Sequence, residues 1–491
     1  MSFEERVDRA PDDNAAGAVR RAGVLLSQRG VDFLSIGVLG ATLPRLLGPE
    51  AFGQFNVIGS VVRFLAFASS FGSLQVMSRF VPALMEKGDT AGIGRLFSGL
   101  LALRAATSLA AGAACFFALR LWLTDLSAVV VAMAAVAVAA RCLANLPFAL
   151  FLGLDRADRF GRGELLRNLL NLIIALPACF LLDLQGAVLA MLATETILLG
   201  LGLFWTREYL TRVSSSLLKE ITPYARHHRI FFATNLLLAA SQQGTAPLIR
   251  GIGGSFGDVA FFAAGHTLFL MSSAVLWQIS QSLGPHFSKL KAREETAQII
   301  VVAEAFLRLV AVASATLTLV ALLVPHEIVG FVLGRSFAPA GATLAPLALA
   351  VTAATFCHLM RVLALAWDRI EVTFEAVAAQ CVTLLILVPP LVRADGARGA
   401  AIAILGAQSV AALVWWRRMR TEAPGVLAGA RRVLLIASPI FLVAAAGRSA
   451  DLWLRVGLLV LCLAACSVAL IRARVLDADE IRAWRAAGRL P

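Results

Sequence analysis

The sequence predicts an all-α polytopic membrane protein with about fourteen transmembrane helices. Hydrophobic residues make up 59% of the 491 residues and charged residues 15%, and the mean hydropathy is +0.81. A soluble domain carries roughly 25% charged residues, so most of this chain belongs in lipid. Runs of about 20 apolar residues cross the hydrocarbon core as helices and are too long for barrel strands.

Fourteen apolar runs are predicted as helices, in two groups of six and a final pair. They cover residues 24–46, 52–73, 96–119, 127–151, 165–182, 187–205, 230–249, 259–283, 297–324, 343–366, 372–392, 400–416, 433–446 and 454–471. An even number places both termini on one side of the membrane. That side collects about 30 Lys and Arg against about 7 on the other, which marks it as cytoplasmic. We therefore expect a multi-pass protein of the bacterial cytoplasmic (inner) membrane with both termini in the cytoplasm.

The net charge of +13 has the same explanation, so we expect membrane lipids and no nucleic acid as partners. The seven cysteines fall almost wholly inside apolar runs, and no pair has the spacing of a metal or redox site. We expect no cofactor, no metal and no catalytic residue. The absence of a long outer loop argues against a polytopic polysaccharide polymerase.

Short segments recur in the same order in both groups of six helices. Arg156 precedes the segment Gly-Ala-Val-Leu-Ala that starts at Gly186, and Arg369 precedes Gly-Ala-Ala-Ile-Ala at Gly399 with the same spacing. This order predicts two parallel six-helix repeats, a common transporter plan. The predicted domains are residues 1–215, residues 216–420, and an additional helix pair with a tail at 421–491.

The stretch Arg-Leu-Leu-Gly-Pro-Glu-Ala-Phe-Gly at residues 45–53, followed by Arg-Phe-Val-Pro at 79–82, resembles the start of polysaccharide transporters such as O-antigen flippases. These belong to the multidrug/oligosaccharidyl-lipid/polysaccharide exporter superfamily, and the resemblance covers the first twelve helices. It implies a flippase that moves undecaprenyl-pyrophosphate-linked oligosaccharide from the inner to the outer leaflet for cell-surface polysaccharide synthesis. A drug/cation antiporter of the same superfamily is the alternative, and a structural envelope protein is a further one.

Charged residues inside a span are costly and usually face a cavity or a partner. Asn56, Ser60 and Arg63 share one face of the second helix, with Arg63 near its middle. A guanidinium suits pyrophosphate oxygens, so Arg63 is the predicted cargo contact. The structural alternative is an ion pair between Arg63 and Asp32, or between Arg29 and Asp32.

Further polar residues in the spans complete the predicted site. The predicted substrate-binding residues are Arg29, Asp32, Asn56, Ser60, Arg63, Arg141, Asn168, Gln242 and Arg250. Asp32 and Glu195 are candidates for coupling to a proton or a sodium ion, because burial raises a carboxyl pKa toward neutrality. A lone histidine in a span, such as His266 or His358, is more often packed than functional.

Overall fold

A computed structural model of the protein describes residues 15–70, 73–154, 156–211, 229–367 and 369–472, and these are helical with short connections. Fourteen α-helices are labelled in chain order. They are α1 Ala15–Ala68, α2 Ser73–Glu86, α3 Thr90–Trp122, α4 Ala128–Gly153, α5 Ala157–Trp205, α6 Arg229–Gln243, α7 Thr245–Gly251, α8 Phe256–Ala292, α9 Thr296–Leu323, α10 Pro325–Leu333, α11 Leu344–Ala366, α12 Ile370–Met419, α13 Ala428–Ala446 and α14 Leu452–Arg472. Three 3₁₀ segments lie at Arg207–Tyr209, Arg335–Thr343 and Gly447–Ser449.

The membrane-crossing segments agree with the fourteen that the sequence predicts. Ten helical stretches of the described residues are long and apolar enough to cross a membrane. Three of these, in α1, α5 and α12, contain a sharp break with non-helical backbone and therefore supply two segments each. Helices α6 and α7, separated at Gly244, cover the seventh predicted run but are not among these ten stretches. The all-α polytopic fold class is confirmed.

The break in α1 explains the residues that carry the family resemblance. Gly48 has φ 70° and ψ 174°, which a residue with a Cβ rarely adopts, and Pro49 then starts the next segment with a preset φ. One turn later, Phe52 packs edge-to-face on Phe337 with ring centroids 5.6 Å apart. A Cβ on Gly53 would lie 2.1 Å from the Phe256 carbonyl oxygen, so only glycine allows this approach.

The two halves repeat each other in backbone geometry, as the sequence predicts. Arg156 and Arg369 both precede a helix with nearly equal dihedral angles, φ −105° and ψ 58° against φ −110° and ψ 52°. In each case a break follows within the long helix. A Cβ on Gly186 would lie 1.8 Å from the Ala178 carbonyl oxygen, and one on Gly399 would lie 1.9 Å from that of Leu391. The chain doubles back at both places, which makes each long helix an antiparallel pair.

The first half (α1–α5) and the second half (α6–α12) meet where α10 lies. The guanidinium of Arg45 donates to the Phe331 carbonyl of α10, and a Cβ on Gly334 would lie 3.6 Å from the Arg45 side chain. Arg250 of the second half lies 3.9 Å from Asp125 of the first half. This side of the molecule, called the α10 end, holds the two halves together.

The final pair, α13 and α14, packs on the second half through α9. Arg455 of α14 donates to Glu327 at 2.5 Å and to the Leu323 carbonyl at 3.0 Å. Burial opposes the charge of Glu327, but the hydrogen bond and the charge of Arg455, together with a backbone hydrogen bond and the nearby His326, keep the Glu327 pKa below its ordinary value. The boundary predicted at 215/216 lies outside the described residues, and the division into three domains stays a prediction.

Candidate functional site

Arg63 lies in the second segment of α1 and reaches across to the second half of the molecule. Its Nε donates to Gln243 Oε1 at 2.7 Å, and its Nη2 lies 3.4 Å from Ser60 Oγ. Ser60 precedes Arg63 by one helical turn, so both side chains leave the helix on the same face. Gln243 ends α6 just before the break at Gly244, which turns its side chain toward α1. The contact therefore joins both halves through neutral partners.

A second cluster joins three spans of the first half around Glu195. Its carboxylate is 1% exposed, and its Oε1 accepts from Arg141 Nη1 at 2.8 Å and lies 3.2 Å from Arg167 Nε. Arg167 also bonds Glu164 at 2.5 Å, one turn earlier in α5, and Asn145 Oδ1 at 2.7 Å. Two arginines and two glutamates face each other here. We call these four side chains and Asn145 the Glu195 network.

The charges of the Glu195 network balance formally, whereas the charge of Arg63 is not matched by a carboxylate among the described side chains. Arg141 lies close enough to Arg63 for the two positive charges to repel. His266 of α8 also experiences the charge of Arg63. Counting the described side chains alone, the middle of the molecule carries an excess of positive charge centred on Arg63.

His266 is packed rather than exposed. Its ring is 7% exposed and stacks between Phe262, at 4.9 Å, and Phe269, at 5.7 Å. The three aromatic rings share one face of α8, and this face of the second half lies near Arg63. This packing agrees with the expectation that a lone histidine in a span is packed rather than functional.

The two partners of Arg63 also line an apolar cavity of about 470 Å³ between the halves. Ser60 and Gln243 supply polar atoms at its wall, and Cys381 lies on the α12 side. Its remaining lining is mainly apolar side chains from α1, α3, α6, α7 and α12. A polar contact and an apolar space are therefore adjacent, as an amphiphile with an anionic group requires.

Several predicted site residues lie away from Arg63. Asn56 donates to the Phe52 carbonyl of its own helix at 2.8 Å. Gln242 is exposed, and its neighbour Gln243 makes the contact that the sequence assigns to Gln242. Arg250 lies at the α10 end, where its guanidinium stands 4.4 Å over the ring of Phe256.

The remaining predicted residues belong to the first half. Asn168 is half-buried in α5, next to Arg167. Arg29 and Asp32 lie on the backbone of α1, but their side chains are outside the described residues. Whether Asp32 faces Arg63, as the structural alternative requires, stays a prediction.

Sequence reasoning missed Arg167, Asn145 and Gln243 as members of these clusters. The pair Glu164 and Arg167, three residues apart in a predicted helix, was an available signal for an ion pair. The sequence favours neither Gln242 nor Gln243, because the two are adjacent and identical. Only the rotation of the packed helix decides which of them faces α1.

The fold is that of a helical membrane protein built from two repeated halves, and solved structures with this architecture are known. The structure titled lipid II flippase MurJ, inward closed conformation, matches with a TM-score of 0.67 at 12% identity, covering 92% of this chain and all of that one. An inward-facing multidrug resistance transporter of the MATE family in the MOP superfamily matches at 0.64, with 14% identity over 82% of this chain and 98% of that chain. A Vibrio cholerae MATE transporter, VcmN, matches at 0.51, with 15% identity over 79% and 98%.

These likenesses confirm the fold expected from the family resemblance. No protein-family model matches the chain, and no curated protein sequence matches it either.

Proposed function

We propose that the protein is an alternating-access flippase for an undecaprenyl-pyrophosphate-linked oligosaccharide. The observation that carries the proposal is Arg63, a cation in the middle of a span whose described partners are neutral. Placing such a charge at the centre of a bilayer costs roughly 3 kcal/mol, and an anionic cargo would offset this cost. The likeness to a lipid II flippase and to multidrug transporters supports transport as the class of activity.

The neighbouring cavity supports a lipid rather than a free sugar as the cargo. Its lining is mainly apolar, and its volume of about 470 Å³ lies between the two halves, beside the partners of Arg63. A pyrophosphate at Arg63 would leave the first isoprene units next to this apolar wall. The Glu195 network, whose charges balance, would keep the first half rigid around the headgroup.

Alternating access needs the halves to separate on one side while they stay joined on the other. The contacts of Arg45 with Phe331 and of Arg250 with Asp125 hold the α10 end together. Opening of this end would break these partly exposed polar contacts and would also separate the buried rings of Phe52 and Phe337. We propose that cargo enters from the opposite end and leaves when the α10 end opens.

A drug/cation antiporter is the second candidate, and one observation favours it. Glu195 is buried, and its Oε2 has no hydrogen-bond partner. A free carboxylate oxygen of this kind could take up a coupling proton or sodium ion. Two arginines already face the same carboxylate, however, and their charges disfavour a bound cation. We therefore propose that Glu195 has either an ion-coupling or a structural role, and that the cargo binds at Arg63.

Reconstitution tests the proposal directly. Protein in sealed liposomes is given a lipid-linked oligosaccharide, and a glycosidase added outside reports how fast the inner pool becomes accessible. We expect fast exposure with the wild type and the rate of empty liposomes with Arg63→Ala. Uptake of a cationic dye driven by a pH gradient, without lipid movement, would establish the antiporter instead.

A further inference from the structure

The second half of the molecule holds another arginine for which the described side chains supply no carboxylate partner. Arg361 of α11 stands with its guanidinium carbon 5.3 Å from the ring centroid of Trp277 on α8. One turn earlier, the His358 ring lies 5.0 Å from the same indole. We call Trp277, His358 and Arg361 the Arg361 cluster.

Both polar side chains of this cluster have hydrogen-bonding atoms that are buried and unused. Arg361 Nε and His358 Nδ1 are inaccessible to solvent and have no hydrogen-bond partner in the structure. The indole face attracts the guanidinium, but it does not accept a hydrogen bond from Nε in the plane of the group. Buried polar atoms are paired in most proteins, so such a cluster needs an explanation.

The internal repeat pairs Glu195 with an uncharged position in the second half. The shift that takes Arg156 to Arg369 and Gly186 to Gly399 also aligns the Glu195 network with the second half. Asn145, Arg167 and Glu195 then correspond to His358, Gln380 and Gln408. Glutamine therefore stands at the positions that correspond to Glu195 and Arg167, and Arg361 lies one turn after His358 in α11.

We infer that the Arg361 cluster is a second anion-binding site, which takes a phosphate group. A guanidinium offers planar paired donors to phosphate oxygens, and His358 adds a third donor from the same helix face. The indole of Trp277 closes one side with an apolar surface. The site is distinct from Arg63 because it lies between α8 and α11, and it does not depend on which cargo the protein moves.

Binding of soluble probes to the purified full-length protein in a neutral detergent tests this inference. Calorimetry measures the dissociation constants of farnesyl diphosphate, inorganic pyrophosphate and farnesol. The measurements use protein that carries Arg63→Gln, so that the first site does not contribute. We expect both phosphate compounds to bind and to compete, and Arg361→Gln to weaken them by about tenfold or more, the change expected for one lost charge-assisted contact.

The matched control is Arg335→Gln, the same change at an exposed arginine of the 3₁₀ segment, which should leave binding unchanged. Melting temperatures show whether each variant is folded. If Arg361→Gln unfolds, His358→Gln and Trp277→Phe replace it, and each should weaken pyrophosphate binding. Competition by phosphatidylglycerol in nanodiscs would identify a bulk lipid headgroup as the natural occupant of the same site.

Two results would overturn the inference. One is pyrophosphate binding that stays within about twofold of the Arg63→Gln parent in all folded variants of the cluster. The other is that farnesol binds as tightly as farnesyl diphosphate and that the cluster variants weaken the binding of both equally. The cluster would then recognise the isoprenoid chain and not the phosphate. Neither result touches the transport assay on Arg63, so failure of this site and failure of the proposed flippase activity are distinguishable.

Discussion

Replacing Arg63 by alanine removes the guanidinium that joins the two halves of the molecule. The change deletes the donor at 2.7 Å from Gln243 Oε1 and the weaker contact with Ser60. A charge-assisted hydrogen bond contributes about 1.5–3 kcal/mol, so cargo affinity should fall by between about tenfold and 150-fold. Arg63→Lys should recover part of the loss, because an ammonium keeps the charge but lacks the planar fork.

The assay combines transport in liposomes with the melting temperature of each variant. We expect Arg63→Ala to abolish transport while the protein stays inserted and folded, since the lost partners are neutral and only Gln243 is left without its donor. A melting temperature far below that of the wild type would instead indicate a structural role.

The structural alternative for Arg63 is a pair with Asp32, and a double variant separates the two. If the residues only balance each other, Arg63→Ala together with Asp32→Ala should recover the transport that each single change loses. Such a rescue would refute cargo binding by Arg63. Loss of transport in the double variant, as in Arg63→Ala alone, is the expected result.

Three further changes follow from the same geometry. Gln243→Ala should lower transport several-fold by releasing Arg63, whereas Gln242→Ala at the exposed neighbour should not; equal effects would show that the Gln243 contact has no role. Glu195→Gln removes the carboxylate of Arg141 and leaves Arg167 with Glu164 alone, and it should lower the free energy of unfolding by about 3 kcal/mol, measured by denaturant or thermal unfolding; an unchanged stability would contradict the network. Gly186→Ala should destabilise the turn of α5 by about 1–3 kcal/mol because the added Cβ meets a carbonyl oxygen, and Gly200→Ala, where a Cβ meets nothing within 4 Å, is its control.

Much of the fold could be predicted from the sequence because the bilayer imposes a local rule. Each span must be about 20 apolar residues long, and this length can be read without knowing what the helix touches. The internal repeat could also be predicted from the sequence. Gly186 and Gly399 recur at equivalent positions because the chain doubles back there and leaves no room for a Cβ. The positions of the charges along each span, including Arg63 and Glu195, were also available.

Some helical features escaped the same rule because they are too short or too polar to be spans. Helices α2 and α10 and the 3₁₀ segment at Arg335–Thr343 were not predicted. They pack at the two ends of the bundle, where tertiary contacts such as that of Phe52 with Phe337 stabilise them. Their existence depends on partners far away in the chain.

The partners of the buried charges were decided only by the tertiary structure. Adjacent residues on a helix point about 100° apart, so a small rotation of α6 decides whether Gln242 or Gln243 meets Arg63. Arg167 joins Glu195, and Arg361 joins Trp277, because helices from distant parts of the chain pack at a given depth and rotation. The sequence determines by itself which charges are buried in the spans, since the apolar run around them is local. Helix packing decides which of these charges pairs with a carboxylate and which is available to a ligand.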